Sequence, residues 1–169
     1  MKSTYTDLRI MRTIVLLPAL LLIISGCQPR QAENPEPPEG EVYFEKSYID
    51  MHDGYSEAVV VSTDRMKTIY ISGQVGEGED LESQMRSAIT KLKGLLGKEG
   101  ASMYDVVKMN TYIVDYGPET LEVFRRVRKE EMGDMDMPAS TLVGVEALAL
   151  PGWLIEIEAV AILPIAPLE

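Results

Sequence analysis

The sequence predicts an α+β domain in which a mixed β-sheet is covered on one face by two helices. Residues 153–163 alternate their side chains with the period of two that is typical of a strand. Residues 81–95 instead repeat apolar side chains every three or four positions, which is typical of an amphipathic helix. The segments follow in the order hairpin, helix, strand, helix, hairpin, and this order indicates the α+β class.

The first part of the domain is predicted to be a strand followed by a hairpin. Each segment is rich in β-branched or aromatic residues, and a polar turn at 63–67 separates the last two. The first strand is expected at an edge of the sheet, and Gly73 is expected to close the third strand. The predicted strands cover residues 42–47, 58–61 and 68–72.

The two helices are predicted from their ends as well as their apolar faces. Asp80 is a suitable N-cap for the first helix, and Gly100 stands where a left-handed residue would end it. A β-branched strand over 106–114 follows. Pro118 suits the first position of a second helix over 119–131.

The last two strands are predicted over 141–145 and 153–163, as a hairpin around Pro151 and Gly152. With both helices on one face of the sheet, the other face needs a cover, so we expect oligomerisation to bury the apolar side of the final strand, or the counterpart residues if that side faces the helices. On that strand the two sides are Ile155, Ile157, Ala159 and Ala161, and Leu154, Glu156, Glu158 and Val160.

The N-terminal residues 1–26 are predicted to be a lipoprotein signal peptide. A positively charged lead precedes an apolar run at 14–24, which is shorter than the ~20 residues that a membrane span needs. The run ends in Ile-Ser-Gly-Cys, which resembles a bacterial lipobox, so Cys27 is the expected lipid attachment site; a plain signal anchor is the alternative. Met11 is a second candidate for the start, since a complete signal peptide also begins there.

Residues 27–41 are predicted to be a disordered, lipid-anchored linker, because 28–41 contain four prolines, four glutamates and no large aliphatic side chain. The folded domain is then 42–169. Gln28 follows the cysteine where an aspartate would retain a lipoprotein in the inner membrane. We therefore expect the protein to be extracytoplasmic, anchored to the outer membrane and facing the periplasm.

Charge and composition exclude several functions. The net charge is −11, and removal of 1–26 would leave 13 basic and 26 acidic residues, a net of −13, which disfavours nucleic-acid binding. One cysteine and one histidine provide neither a disulfide nor a metal cluster, so neither metal nor cofactor is expected. The histidine, His52, is interpreted as a solvated loop residue rather than a base or ligand.

Three segments resemble the RidA (YjgF-type) family of small trimeric imine deaminases: 69–74 (IYISGQ), 106–115 (VVKMNTYIVD) and 137–163. The resemblance implies a chorismate-mutase-like fold that assembles as a trimer with a barrel-like core. It also implies small-molecule clefts between subunits, in which enamines and imines are hydrolysed to keto acids and ammonia. A ribonuclease role has been attached to parts of the family, and the acidic charge argues against it here.

The same resemblance assigns four site residues. Glu156 is the expected catalytic carboxylate that positions or activates water, although Glu158 has the same sequence pattern. Tyr55 and Ser72 are the expected ligand-binding residues of the cleft, with a core aromatic and a simple strand end as their structural alternatives. The family arginine of Pro-Ala-Arg falls on Ser140.

Serine at 140 leaves three functions open, because it cannot form the bidentate pair that an arginine makes with a substrate carboxylate. The chain is a divergent hydrolase for imines that lack that carboxylate, or a non-catalytic module that binds or scavenges a small ligand. Alternatively, a basic residue from 125–129 enters the cleft. That basic patch is otherwise a solvated helix face with acidic partners such as Glu122 for Arg126.

Overall fold

The computed structural model describes residues 44–165. The predicted signal peptide, Cys27, the linker and the predicted domain start at Val42 lie outside these residues. The described residues form six strands, two α-helices and one short 3-10 helix at Met103–Asp105. The elements are β1 (Glu45–Met51), β2 (Ser56–Ser62), β3 (Met66–Val75), α1 (Leu81–Lys98), β4 (Val106–Val114), α2 (Pro118–Met132), β5 (Ala139–Val145) and β6 (Ile155–Pro164).

All six strands form one mixed sheet in the order β1-β2-β3-β6-β4-β5. The predicted α+β class, the hairpin of β2 and β3 and the edge position of β1 are confirmed. The predicted final hairpin is wrong, because β6 pairs with β3 and β4, whereas β5 runs parallel to β4 on its far side. The helix α2 provides the long crossover that a parallel pair requires. Gly73 lies inside β3, at an irregularity between Ile71 and Gln74, and does not close the strand.

The core lies between one face of the sheet and the helices. The side chains of α1 that face it are buried, among them Leu92 and Ile89. The alternation predicted for β6 is confirmed, since Ile155, Ile157 and the two following alternate residues are buried. These side chains lie beneath the helices, so the expectation that they need a second subunit as cover is wrong.

The opposite face of the sheet carries a row of incompletely buried apolar side chains. Tyr48 pairs with Val59, Val59 with Tyr70, and Tyr70 with Val160, so these four residues cross the sheet in one row. Tyr48 and Tyr70 are 55% and 50% exposed. We call this set the tyrosine row. None of the helices within 44–165 is long and apolar enough to cross a membrane.

The helix ends agree with the sequence. Asp80 accepts a hydrogen bond of 2.8 Å from the backbone N–H of Ser83, and Gly100 has a φ of 75° just beyond α1. Pro118 is the first residue of α2. Within the basic patch, Arg126 pairs with Glu82 of α1 at 2.6 Å and, more loosely, with Glu130 of its own helix at 3.8 Å, rather than with the predicted Glu122.

Candidate functional site

A groove of about 880 Å³ lies among the β1–β2 turn, the end of β3, α1 and the loop before β6. Tyr55, Ser72 and Glu156 all line this groove, although they are far apart in the sequence. The structure therefore brings together three of the four residues predicted for the site. Gly73, Gln74 and Trp153 line it as well.

The Glu156 carboxylate rests directly on Gly73. A Cβ atom at Gly73 would stand 1.7 Å from Glu156 Oε1, so only glycine leaves room for this position of the side chain. Within residues 44–165 no donor lies in hydrogen-bonding range of the Glu156 carboxylate. Burial, followed by the charge of Glu158, raises the pKa of Glu156 above its usual value.

Glu158 has a different environment, although it lies two residues further along the same face of β6. Its carboxylate accepts a hydrogen bond from the Asn110 side chain, and the Tyr112 hydroxyl lies 3.5 Å away. The Glu158 charge is the main reason that the pKa of Tyr112 is raised. Glu158 is therefore already engaged, whereas Glu156 is free to accept a proton from a bound water.

Ser72 and Tyr55 flank the groove in different ways. The Ser72 hydroxyl donates its proton to the carbonyl oxygen of Ser56 at 2.6 Å. The Ser72 hydroxyl oxygen can therefore act only as an acceptor towards a ligand. Tyr55 is 55% exposed and is not a core aromatic. Its ring stacks on His52, with centroids 4.7 Å apart.

Ser140 lies elsewhere in the protomer. It pairs with Met109, on the helix-covered side of the sheet, and lines a cavity of about 10 Å³ together with Phe124 and Arg128. The Arg128 guanidinium stands over the Phe124 ring at 5.1 Å. A basic residue from 125–129 thus lies beside Ser140, which is itself exposed, and neither residue lines the groove that contains Glu156.

Sequence reasoning missed a hydrogen-bonded chain on the groove wall. His52 Nε2 lies 2.9 Å from Glu57 Oε1, and the Gln74 side chain donates to Glu57 Oε2 at 2.7 Å. His52 is an exposed turn residue, as predicted, but its contact with the Glu57 carboxylate was not foreseen. The sequence signal that could have indicated this contact is Gly54. In the structure its φ of 99° allows the tight turn that brings His52 back towards Glu57.

The loop before β6 is held against α1 by Gln84. The Gln84 side chain donates to Gly152 O at 2.8 Å and accepts from the backbone N–H of Leu154 at 2.8 Å. Gln84 is buried, so both bonds are shielded from competing water. This connection fixes the position of Trp153 beside the groove.

The groove has more acidic than basic side chains. Asp50, Glu57 and Glu156 line it, against Lys91 and Lys98. Lys98 is paired with Asp50, and Lys91 lies 3.5 Å from Glu77. The groove therefore provides no uncommitted cation for an anionic ligand.

Residues 45–163 match the family model described as Endoribonuclease L-PSP. A 2-iminobutanoate/2-iminopropanoate deaminase of Dermatophagoides farinae is 29% identical over 119 residues, which cover 64% of this chain and 85% of that protein. A RutC family protein of Pyrococcus abyssi is 34% identical over 130 residues, which cover 72% of this chain and 95% of that protein.

Solved structures agree with the fold. A Mycobacterium tuberculosis member of the YjgF/YER057c/UK114 family superposes with a TM-score of 0.61 at 29% identity, covering 69% of this chain and 98% of that one. A Rid family protein of unknown function from Yersinia pestis superposes with a TM-score of 0.54 at 34% identity, covering 70% and 98%. Both similarities extend over nearly the whole of the related chains.

Proposed function

Because the chain belongs to the RidA (YjgF) family, whose model is described as Endoribonuclease L-PSP, we propose that it hydrolyses imines or enamines in the groove that contains Glu156. The observation that carries this proposal is the Glu156 carboxylate, which is partly buried, free of donors within 44–165 and held over Gly73. A raised pKa brings such a group closer to the range in which it exchanges protons effectively. The deaminase name of the Dermatophagoides relative favours the same reaction class.

In the proposed reaction, Glu156 accepts a proton from a water molecule while the water oxygen attacks the imine carbon. The Ser72 oxygen, whose own proton is donated to Ser56 O, accepts a hydrogen bond from the substrate nitrogen or from the water. Tyr55 provides an aromatic wall. The products are a carbonyl compound and ammonia or an amine.

The proposed substrate is an uncharged or cationic imine. The three carboxylates of the groove repel an anion, and its two lysines already have acidic partners. Ser140 replaces the arginine that would bind a carboxylate, and loss of such a charge-assisted pair costs roughly 1.5–3 kcal/mol. We therefore expect little hydrolysis of freshly generated 2-aminoacrylate.

Binding of a small ligand without turnover is the second candidate. It is favoured by the position of Ser140, which does not line the groove of its own protomer. A ribonuclease function is disfavoured, because the net charge of −11 would repel the phosphate backbone.

The proposed assembly is a homotrimer that buries the tyrosine row. In this row Val59 lies between the half-exposed Tyr48 and Tyr70, and Val160 lies on the other side of Tyr70. The four residues form an apolar strip on the sheet face opposite the helices. A neighbouring subunit seated there would bring further residues towards the groove. The proposed location is the periplasmic side of the outer membrane, through a lipid on Cys27.

The test compares Glu156→Gln with Glu158→Gln in the full chain. Two related substrates are generated in situ: an imine from a primary amine, and the imine of the corresponding amino acid. The proposal requires turnover of the first by the native chain, a loss of roughly 10²–10⁴-fold in Glu156→Gln and a much smaller loss in Glu158→Gln. Ligand binding with no turnover by the native chain would instead favour the second candidate.

Stability separates catalysis from unfolding in this test. Because the folded state raises the pKa of Glu156, its charged form opposes folding at pH values above that pKa, and stability increases as the pH falls through it. Glu156→Gln removes this opposition. We therefore expect the inactive variant to be at least as resistant to urea at pH 8 as the native chain.

A further inference from the structure

His52 lines the groove but has no role in the reaction proposed for Glu156 and Ser72. It is the only histidine of the chain and follows β1 in the turn to β2. Glu57 Oε1 lies 2.9 Å from its Nε2 atom, and the Tyr55 ring stacks on it with 23° between the planes. The His52 side chain is still 46% exposed, so these two contacts, rather than burial, orient the ring.

Glu57 is itself held in place from the interior. Its second oxygen accepts a hydrogen bond of 2.7 Å from Gln74, which is 5% exposed and also donates to Ser72 O at 3.1 Å. Gln74 follows Gly73, the residue on which the Glu156 carboxylate rests. One short segment of β3 thus fixes both the carboxylate that supports His52 and the carboxylate proposed to activate water.

The orientation of His52 leaves one ring nitrogen available. In the neutral ring, Nε2–H donates to Glu57 and Nδ1 is an acceptor; in the protonated ring, Nδ1–H becomes a second donor. An imidazole can therefore take up a proton and donate it again at the same nitrogen, which suits it to general acid–base catalysis. The other ionisable groups on the groove wall are Asp50 on β1, Lys91 and Lys98 on α1, Tyr55 beside the ring and Glu156 on β6.

We propose that His52 is a catalytic acid that protonates the nitrogen of the substrate, with Glu57 as its positioning residue. The inference rests on the proposed hydrolase function and adds the proton donor that this function lacks. Addition of water to a neutral C=N bond is catalysed by a base that takes a proton from the water and an acid that gives one to the nitrogen. Glu156 and His52 provide one group of each kind in the same groove.

Every proton that moves in the proposed reaction is accounted for. As the C–O bond forms, a water proton passes to Glu156 and the nitrogen takes the Nδ1 proton of His52, which gives a neutral carbinolamine. Glu156 then returns its proton to the nitrogen, and the hydroxyl proton passes to His52 as the C–N bond breaks. The carbonyl product and the amine leave, and both side chains return to their starting forms without any further reactant.

The kinetic experiment compares His52→Gln and Glu57→Gln with Asp53→Asn in the full chain. Asp53 is exposed in the same turn and does not line the groove, so its variant controls for altered charge and turn structure. We expect His52→Gln to lower kcat by roughly 10²-fold with little change in KM. Glu57→Gln should give a smaller loss.

A substrate with a permanent charge distinguishes an acid from a structural residue. An N,N-dialkyl iminium ion needs no proton for the addition of water, so His52→Gln should lose much less activity on it than on a neutral imine. Equal losses on both substrates would overturn the assignment. So would a kcat within twofold of the native value for the neutral imine.

A direct readout uses the single histidine. With ¹⁵N-histidine incorporated, one imidazole reports its tautomer, and we expect Nε2–H in the native chain and a mixture of tautomers in Glu57→Gln. Addition of an O-methyl oxime, a stable C=N compound, should shift these resonances. An unmoved imidazole with loss of turnover in Glu156→Gln would overturn the role of His52 and leave the hydrolase intact. No turnover by the native chain would overturn both.

Discussion

Substitution of Gly73 by alanine tests whether the position of the Glu156 carboxylate matters. The new Cβ would stand 1.7 Å from Oε1, 2.5 Å from Cδ and 2.7 Å from Cγ of Glu156, with no backbone atom among these three nearest neighbours. The carboxylate oxygen must therefore retreat by roughly 2 Å to reach the ~3.5 Å of an ordinary contact. A misplacement of about 1 Å can cost roughly 10²-fold in rate, so we expect kcat/KM to fall by at least that factor.

The fold should tolerate this change, because the clash is with the end of a flexible side chain. We expect the free energy of unfolding in urea to change by no more than about 1 kcal/mol. Gly97→Ala is the matched control, since nothing lies within 4 Å of its added Cβ on the exposed side of α1. That variant should gain about 0.5–1 kcal/mol in stability and keep its activity. Native kcat/KM in Gly73→Ala would refute the assignment of Glu156.

The remaining predictions concern specificity, assembly, acid stability and anchoring. In the proposed trimer, where residues of a neighbouring subunit reach the groove, Ser140→Arg should raise hydrolysis of carboxylate-bearing imines by roughly 10- to 100-fold, and no gain would favour ligand binding without catalysis. Tyr70→Glu should convert a trimer to monomers by light scattering; a native chain that is already monomeric would contradict the proposed assembly. Hydrogen bonds from Arg126 and then Arg86 lower the pKa of Glu82 from 4.5 to about 2, so its stabilising effect is complete above about pH 4.5 and is lost towards pH 2. The difference in urea stability between native and Glu82→Gln chains should shrink over that interval, and a constant difference would contradict it. Cys27→Ser should accumulate an unprocessed precursor, and unchanged mass and membrane fractionation would count against the lipid anchor.

Local signals in the sequence were sufficient for the helices and most strands. Asp80, Gly100 and Pro118 mark helix ends through short-range backbone chemistry, and all three do so in the structure. The alternation of β6 likewise depends only on its own residues. Such features can be predicted because the physical cause and the sequence pattern occupy the same few positions.

The strand order could not be found in this way. The turn at Pro151 and Gly152 suggests a hairpin, yet β4 lies between β5 and β6. Whether β6 pairs with its predecessor or enters the middle of the sheet depends on long-range packing. The error also affected the exposed face, because a central β6 puts Ile155 and Ile157 beneath α1 rather than at a subunit contact.

The two glutamates of β6 show the same limit at the site. Glu156 and Glu158 are equivalent in the sequence pattern, and only their neighbours distinguish them: Gly73 beneath one and Asn110 beside the other. The role of His52 likewise depends on Gln74, which is 22 positions away in the sequence and supports Glu57 from the interior. No local pattern contains these contacts.

In the proposed reaction, the serine at 140 and the acidity of the groove both disfavour a substrate that carries a carboxylate. An arginine at 140 would neutralise a substrate carboxylate, and an acidic groove without it opposes such a substrate further. Arg128 does not restore the missing charge in the groove of its own protomer, because neither Arg128 nor Ser140 lines the groove that contains Glu156. A cationic iminium, by contrast, is attracted by Glu57 and Glu156 and reacts with water more readily than a neutral imine. Under the proposed hydrolase function, the serine at 140 therefore changes the charge of the preferred substrate.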